Sequence, residues 1–423
     1  MDSEYLPVDW WRKLQLGDIA VISYGYTAKA SVEDIGSKFL RITDIQNDRV
    51  DWSSVPYCLI SEDEFKKHKL IDQDIVFART GATTGKSYLV CDPPESVAAS
   101  YLIRLRIKDV TIFPKFIAKY FQTSEYWDSI SSGISGSAQG GFNASKLSEL
   151  VLNIPILDEQ KRIVAILDEV FEGCDRAIRN TEKNLANSRE LFESYLNAIF
   201  TQKGDRWEKV KLGSLSERIT KGSSPKWQGI NYVDQPGILF VTSENVGENQ
   251  MLFQKTKYVE EAFNDRDTKS ILSLGDVLTN IVGASIGRTA IYDREELANI
   301  NQAVCLIRCK PDMLLNKYLS YLLNSPYFRQ ILHDNEINNA RANLSLGFFR
   351  DLPIPLPSLN EQQSIVYKMD NFSTETQRLE TIYRQKLAAL KELKQSILQK
   401  AFTGELTADK EVAWATIWLN QAI

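Results

Sequence analysis

The sequence predicts an α+β protein in which two similar mixed α/β domains lie in tandem, separated by two long helices. One observation is a pair of proline-free stretches, starting at Asp158 and Asn360, with apolar residues at helical spacing. Each runs for roughly 43 residues, enough for a rod of about 65 Å. The other is that motifs of the first half recur in order about 200 residues later. The implied domains are 1–157, 158–203, 204–359, 360–403 and a tail, 404–423.

Helices of this length need a partner along their apolar face. Both begin with Glu-Gln, at Glu159 and Glu361, and both end with Phe-Thr, at Phe200 and Phe402. These shared ends favour pairing over two unrelated core helices. We predict an antiparallel intramolecular coiled coil with pseudo-two-fold symmetry. Its predicted seam consists of Ile163, Leu167, Val170, Leu185, Leu191, Ile199, Ile365, Met369, Phe372, Leu379, Leu387, Leu390 and Ile397.

Bulk composition is that of an ordinary globular protein, with 43% hydrophobic and 25% charged residues. No apolar run is long enough to span a membrane, so we expect no membrane association. The five cysteines are scattered, which favours reduced thiols and a cytoplasmic location. Because the net charge is −5, any surface for nucleic acid must be a local one.

Each half of the repeat begins with the same pattern, Trp-x-Lys, then an aliphatic residue, one variable residue and Leu-Gly, at Trp11 and Trp207. A short strand and a glycine turn follow, starting at Gly25 and Gly222. Five further features match in order: a buried-looking strand; a strand, glycine turn and strand; a short aromatic-rich helix; a polar loop; and an Ile-Pro segment before the long helix. They occupy 39–45, 73–86, 115–129, 136–143 and 154–155 in the first half, and 239–246, 275–288, 317–331, 338–345 and 354–357 in the second.

The motifs that could carry catalysis are all defective. Gly81 to Ser87 resembles a phosphate-binding P-loop, but has one residue too few between its glycines and lies between strands. Asp92 to Glu95 has Glu where amino-methyltransferases carry an aromatic residue that stacks on the flipped base. Two histidines leave little scope for metal chemistry, and Cys305 and Cys309 have no second ligand pair. The sequence therefore predicts no catalytic or metal site.

Polar loops at matching places in both halves remain, and their side chains suit DNA. Arg and Lys suit guanine, Asn and Gln suit adenine, and Ser or Thr suit phosphate. The candidates are Tyr24, Tyr26, Thr27, Lys29, Arg79, Thr80, Thr84, Lys86, Gln139 and Asn143 in the first half, and Lys221, Ser223, Ser224, Lys226, Asn280, Arg288, Asn338, Asn339, Arg341 and Asn343 in the second.

Together these motifs resemble the specificity (S) subunit of type I restriction–modification systems. The resemblance rests on the module starts, the glycine turns, the Gly-Ala-x-x-Gly-Lys/Arg turns, the Ile-Pro segments before Glu-Gln, and the helix ends such as Ser194 to Thr201. It implies a non-enzymatic reader of double-stranded DNA, with each module reading half of a split asymmetric site. The helices would set the spacer and dock two methyltransferase (M) subunits, which carry S-adenosylmethionine. Restriction (R) subunits would bring ATP and Mg, and this chain would hold no cofactor.

Three alternatives stay open on the sequence alone. A coiled-coil scaffold could carry two modules that bind protein or carbohydrate. A DNA-modifying enzyme is disfavoured by the defective motifs. A specificity subunit could also serve a solitary methyltransferase, without a nuclease.

Overall fold

We describe the protein from a computed structural model, which covers residues 11–46, 48–135, 142–202, 207–234, 237–338 and 342–407. The chain divides into two compact units, one formed by Met1–Glu182 with Gln385–Ile423 and the other by Lys183–Arg384. The sequence boundaries treated both long helices as segments of their own. The units instead divide each helix, so each contains one module, the start of one long helix and the end of the other.

In the described part of the first module, eleven strands and five short helices precede the first long helix. In chain order they are β1 (Arg12–Gln15), α1 (Leu16–Ile19), β2 (Ala20–Tyr24), β3 (Ser37–Leu40), β4 (Ile45–Gln46), β5 (Arg49–Val50), β6 (Tyr57–Cys58), α2 (Glu62–His68), β7 (Ile75–Ala78), β8 (Ser87–Leu89), β9 (Ser96–Ala98), β10 (Leu102–Ile107), α3 (Pro114–Tyr120), α4 (Ser124–Ser135), α5 (Ala144–Ser148), β11 (Val151–Ile154) and α6 (Leu157–Gln202). The main sheet is antiparallel in the order β2-β10-β7-β8. A second sheet, β6-β3-β9, pairs β3 and β9 in parallel, and β4 pairs with β5.

The second module repeats this plan with local changes. Its elements are β12 (Glu208–Lys211), β13 (Ser216–Lys221), β14 (Tyr232–Val233), β15 (Ile238–Val241), β16 (Tyr258–Val259), α7 (Ala262–Arg266), β17 (Val277–Asn280), β18 (Thr289–Ile291), β19 (Ala298–Ile300), β20 (Val304–Cys309), α8 (Asn316–Asn324), α9 (Pro326–Asp334), β21 (Ile337–Asn338), β22 (Ala342–Asn343), α10 (Leu346–Asp351), β23 (Pro353–Leu356) and α11 (Leu359–Phe402). The main sheet is β13-β20-β17-β18, and the second sheet, β14-β16-β15-β19, gains a strand. β21 and β22 pair with each other, and Asn343 of β22 also bridges Val282.

A two-stranded ribbon closes each module at its root. β1 pairs antiparallel with β11, so that Arg12 lies opposite Ile154. β12 pairs with β23 in the same way. The chain therefore enters and leaves each module at one place, directly before a long helix.

A buried glutamine fixes the start of each long helix. Gln160 accepts a hydrogen bond from the Phe113 amide at 2.7 Å and donates to the carbonyls of Thr111 and Pro155 at 2.9 and 2.8 Å. Gln362 makes the three equivalent bonds in the second module, at 2.9, 3.0 and 3.0 Å. Because both glutamines are 0% exposed, these bonds satisfy backbone groups that water cannot reach.

An ion pair at equivalent positions in the two modules stabilises each main sheet. Arg106 donates from Nε and Nη2 to the two oxygens of Asp74, both at 2.7 Å. Arg308 binds Asp276 in the same bidentate way at 2.8 and 2.7 Å. The aspartates are 1% and 2% exposed, and the hydrogen bonds to them raise the pKa of each arginine.

Capping explains where α11 begins and ends. The Ser358 amide donates to the Glu361 carboxylate at 3.1 Å, and the Glu361 amide donates to the Ser358 hydroxyl at 3.4 Å, which forms a capping box. Gly404, with φ of +82°, follows the last turn in the left-handed conformation that commonly ends a helix. Both long helices begin one residue earlier than predicted. No helix in the described part of the chain is long and apolar enough to cross a membrane.

The long helices pair antiparallel, as contacts within the second unit demonstrate. Arg189 donates from Nε and Nη2 to both oxygens of Glu380 at 2.8 and 3.0 Å. Further along α6, the Phe192 ring stacks on Phe372 with centroids 5.9 Å apart. Residue numbers along α11 therefore decrease as those along α6 increase, which defines an antiparallel pair.

The first unit contains its own part of the pairing. Lys394 of α11 donates to the Asp175 carboxylate at 2.7 Å and lies 4.7 Å from the centre of the Phe171 ring. Ile397 and Leu398 belong to the same buried cluster as the start of α6. The seam residues buried across both units are Ile163, Leu167, Val170, Ile199, Ile365, Met369, Leu390 and Ile397, whereas Leu185, Phe372 and Leu387 are half-buried.

Two predicted seam residues are wrong. Leu191 is 60% exposed and Leu379 is 39% exposed. Each residue turns the helix by about 100°, so a neighbour one position away faces a different direction. Phe192 and Glu380, which follow the two leucines directly, make the contacts between the helices.

The aromatic helix predicted in each half is two helices. In the second module Ser325 separates α8 from α9, since its hydroxyl accepts a hydrogen bond from the Phe328 amide at 3.3 Å. Pro326 occupies the first turn of α9, where it needs no hydrogen-bond donor. In the first module Thr123 separates α3 from α4 and accepts from the Tyr126 amide at 3.2 Å.

Candidate nucleic-acid interface

In each main sheet a glycine turn joins an edge strand to its neighbour: β7 to β8 in the first module, and β17 to β18 in the second. Gly81 and Gly85 of the first turn have φ of +76° and +94°, and Gly283 and Gly287 of the second have +75° and +86°. Glycine adopts these angles at no steric cost. Each turn leads into a strand, β8 or β18, rather than a helix. The predicted strand, turn and strand is therefore confirmed, and this context does not fit a P-loop.

The described residues at the end of the polar loop predicted in each half lie beside this glycine turn. After the first loop, the Phe142 amide donates to the Arg79 carbonyl at 3.0 Å, directly beyond β7. After the second, the Leu344 amide donates to the Ile281 carbonyl at 2.9 Å, directly beyond β17. Two segments far apart in sequence thus form one surface in each module.

Arg79 and Tyr24 meet on this surface in the first module. The Arg79 guanidinium carbon lies 4.8 Å from the centre of the Tyr24 ring, within the range of a cation–π contact. The Tyr24 hydroxyl accepts a hydrogen bond from the Ala144 amide at 3.3 Å. Tyr24 is 41% exposed and Arg79 is half-buried, so the pair borders solvent.

The turn after the first strand of each main sheet runs against the second sheet. A Cβ on Gly25 would lie 2.2 Å from the Ala99 carbonyl oxygen, and one on Gly222 would lie 1.7 Å from that of Ile300. Only glycine allows this approach. The Tyr26 ring lies 5.5 Å from the His68 ring rather than beside Arg79.

The predicted turn after Gly222 carries an exposed tryptophan that is not among the sequence-predicted candidates. Trp227 is 78% exposed in the short helical turn Pro225–Gln228. The turn is fixed by the Ile230 amide, which donates to the Pro225 carbonyl at 3.0 Å, and by Gln228, whose side chain donates to Ser223 at 3.2 Å. Lys226 beside the indole is exposed. A tryptophan between a lysine and a glutamine, just after a turn of candidates, was the available signal.

Three candidates have internal partners instead of facing a ligand. Asn280 is 0% exposed and donates to the Ser243 carbonyl at 2.9 Å, so its proposed contact with DNA is wrong. Thr84 is 7% exposed, and its hydroxyl closes the turn by donating to the Gly81 carbonyl at 2.8 Å. Ser223 is half-buried and donates to Asp267 at 2.6 Å.

The other candidates lie at or near the surface. Exposed are Tyr24, Thr27, Lys29, Thr80, Lys86, Asn143, Lys221, Lys226 and Arg288, and half-buried are Tyr26, Arg79, Ser224 and Asn343. Asn143 also caps α5, accepting from the Lys146 amide at 2.9 Å. Gln139, Asn339, Arg341 and the side chain of Asn338 lie outside the described residues. Within the described ranges, no group of three or more His, Cys, Asp or Glu residues is placed to hold a metal ion.

Two tandem modules that share one frame and carry different side chains at equivalent strand ends define a class of architecture, and comparison with known proteins identifies the family. The model of the type I restriction modification DNA specificity domain matches residues 7–187 and again 204–389. The chain belongs to this family, which confirms the resemblance seen in the sequence. Its place in the family makes it a specificity subunit, which recognises DNA sequence and is not itself catalytic.

Relatives match over nearly the whole chain. The chain is 23% identical to the type I restriction enzyme EcoBI specificity subunit of Escherichia coli over 428 residues, covering 95% of this chain and 87% of that protein. It is 21% identical to the MjaVIII specificity subunit of Methanocaldococcus jannaschii, covering 90% and 86%.

Solved structures share the fold. The HsdS subunit of Thermoanaerobacter tengcongensis has a TM-score of 0.61 at 20% identity, with 96% of this chain and 99% of that chain covered. A chain from a study of assembly and conformational transition in the type I R-M system reaches a TM-score of 0.77 at 20% identity, with 95% and 100% covered.

Proposed function

We propose that this subunit reads a bipartite, asymmetric DNA site, with one half read by each module and an unread spacer set by the long helices. The observation that carries the proposal is a repeated frame with unlike side chains at equivalent strand ends. The shared bonds of Gln160 and Gln362 fix the frame, whereas the equivalent strand ends carry the half-buried Arg79 in one module and the buried Ile281 in the other. Unlike readers on like frames would yield two different half-sites.

The proposal includes partners. Two methyltransferase subunits would dock on the helices and supply S-adenosylmethionine, and restriction subunits would supply ATP and Mg chemistry. This chain would hold no cofactor and act on DNA in the cytoplasm. Support comes from the relatives, which are specificity subunits of type I restriction enzymes. With a net charge of −5, this chain would leave part of the phosphate neutralisation to its partners.

Co-expression with the methyltransferase encoded beside it, followed by single-molecule sequencing for N6-methyladenine, tests the function. We expect one split motif with defined bases on either side of a fixed gap. A stable complex with an active methyltransferase and no sequence-specific methylation would contradict the proposal.

Exchange of residues 1–157 for the module of another family member tests whether the modules read independently. We expect one half of the motif to change while the other half and the gap stay the same. If both halves changed, the modules would not be independent readers.

Insertion of four residues after Phe200 tests the spacer. We expect a longer gap between unchanged half-sites, since α6 leads into the second module after this point. A matched insertion of four residues after Gly404, beyond the end of α11, should leave the gap unchanged. An unaltered gap in the Phe200 variant would reject the helices as the ruler.

A further inference from the structure

One guanidinium on the candidate interface lacks the partners that other arginines of its module have. Arg106 is held by Asp74, and Arg41 by Asp44 at 2.7 Å. Within the described part of the chain, Arg79 forms neither an ion pair nor a side-chain hydrogen bond, and its Nε is buried and unpartnered. Because Arg79 is only half-buried, its outer N–H donors, which no described protein group occupies, are available to a ligand.

Arg79 is nevertheless held in place. Its amide donates to the Tyr101 carbonyl at 3.2 Å, and its carbonyl accepts from the Phe142 amide. Its guanidinium lies over the Tyr24 ring, and Tyr24 is itself tied to Ala144. Stacking restricts the rotation of the guanidinium and leaves its planar edge free to form hydrogen bonds. This is the preorganisation that a specific contact needs.

The chemistry of that edge selects its ligand. A guanidinium offers parallel N–H donors that match the O6 and N7 acceptors of guanine in the major groove. Adenine presents an amino donor in place of O6, which would oppose the same donors. A phosphate would also accept from the fork, but phosphate contact carries no sequence information.

We propose that Arg79, stacked on Tyr24, reads a guanine in the half-site of the first module. The inference rests on the proposed function and adds the base and the residue that reads it. At the matching position the second module has Ile281, which is 1% exposed, so no guanidinium stands there. Guanine recognition by this device therefore belongs to one half-site only.

The test uses the complete specificity–methyltransferase complex, with Arg79→Ala and Arg79→Lys as the variants. In binding titrations on oligonucleotides that carry each base at each motif position, we expect both variants to lose roughly 5- to 150-fold of the discrimination for guanine at one position. Sequencing of N6-methyladenine should show the motif relaxing at that position alone. Lysine keeps the charge but cannot form the fork, so it separates recognition from attraction.

Lys86→Ala is the matched control, since Lys86 is an exposed cation on the same glycine turn. It should weaken binding about equally for all sequences and leave the motif intact. Circular dichroism and assembly with the methyltransferase establish that each variant folds. A wild-type motif without guanine in the first half-site would overturn the inference, as would an Arg79 variant that weakens all sequences equally. In both cases the split motif itself survives. Absence of any split motif in the wild type would instead mark failure of the proposed function, and the inference would fail with it.

Discussion

At the end of β7 in the first module lies Arg79, half-buried against Tyr24, and at the matching end of β17 lies the buried Ile281. Tyr24 of β2 and Lys221 of β13 occupy equivalent positions in the two main sheets. Tyr24 pairs with Ile103 of β10, and Lys221 pairs with Cys305 of β20. The residues that face the same way from the same sheet thus differ in charge, shape and hydrogen bonding.

Beneath these positions several buried features recur in both modules. The aspartate–arginine pair, the glutamine that anchors the helix and the close approach of the first glycine turn all recur. These groups are buried, and a buried polar group must keep its partner. Satisfied internal polar groups therefore specify the scaffold, and the strand ends above them are free to differ.

The largest expected effect concerns the buried aspartates. Asp74→Ala and Asp276→Ala should each lower the free energy of unfolding by about 2–3 kcal/mol, because each leaves a partly buried arginine without its carboxylate partner. Denaturant unfolding, with hydrogen exchange to locate the loss, measures this in the full chain. Equal losses would support a shared scaffold, and a loss confined to one module would contradict it. Asp351→Ala, which removes an exposed pair with Lys211, should cause no measurable change.

A smaller effect is expected from the glutamines that anchor the helices. Gln160→Ala and Gln362→Ala should each cost about 2 kcal/mol, because an amide and two carbonyls lose their partners. The Glu variants keep the acceptor and lose both donors, so they identify which bonds matter. Thermal unfolding of all four variants provides the measurement. Failure of the two modules to respond alike would contradict a shared anchoring role.

Trp227 sharpens the difference between the modules, since Ala30 occupies the matching turn position in the first. If the indole packs against DNA, Trp227→Ala should weaken binding by about 1 kcal/mol, roughly fivefold. The melting temperature should stay unchanged because the side chain is 78% exposed. Leu274→Ala, which removes another exposed apolar residue of this module, is the control. Equal binding by wild type and Trp227→Ala would remove the turn from the interface.

The smallest effect concerns the ion pair of the second unit. Hydrogen bonds from Arg189 hold the pKa of Glu380 below its usual range. The pair therefore stabilises the fold fully above the unfolded pKa of about 4.3, and this contribution fades as the pH falls through the lower folded pKa. Glu380→Gln should cost about 0.5 kcal/mol at neutral pH and nothing at strongly acidic pH. A cost that persists unchanged into acid would point to packing instead of charge.

The repeat made much of this fold predictable. Motifs in the same order twice identified both modules, the glycine turns and the long helices, because each match supported the others. The misses have local causes. All four residues of β17 are buried, so no alternation of polar and apolar residues indicated that Asn280 faces inward. Leu191 is a wrong prediction because its hydrophobicity alone favours a seam position. The helical spacing instead favours Phe192 and Leu196, which are four residues apart.

The stacking of Arg79 on Tyr24 was not predictable from the sequence. The two residues come from different strands that are joined only through β10, and no local pattern reports such a contact. Each residue is a candidate on its own in the sequence. It could not indicate that one positions the other, because that depends on the Ala144 amide and on the order of strands in the sheet.

The ribbons at the module roots bear on how such a protein could change over generations. Since β1 pairs with β11, and β12 with β23, the first and last strands of each module lie side by side. Genetic recombination within the codons that encode one ribbon would exchange a whole folded module and leave the long helices unchanged. New specificity would then arise by inheritance of a complete cassette, without passing through half-folded intermediates.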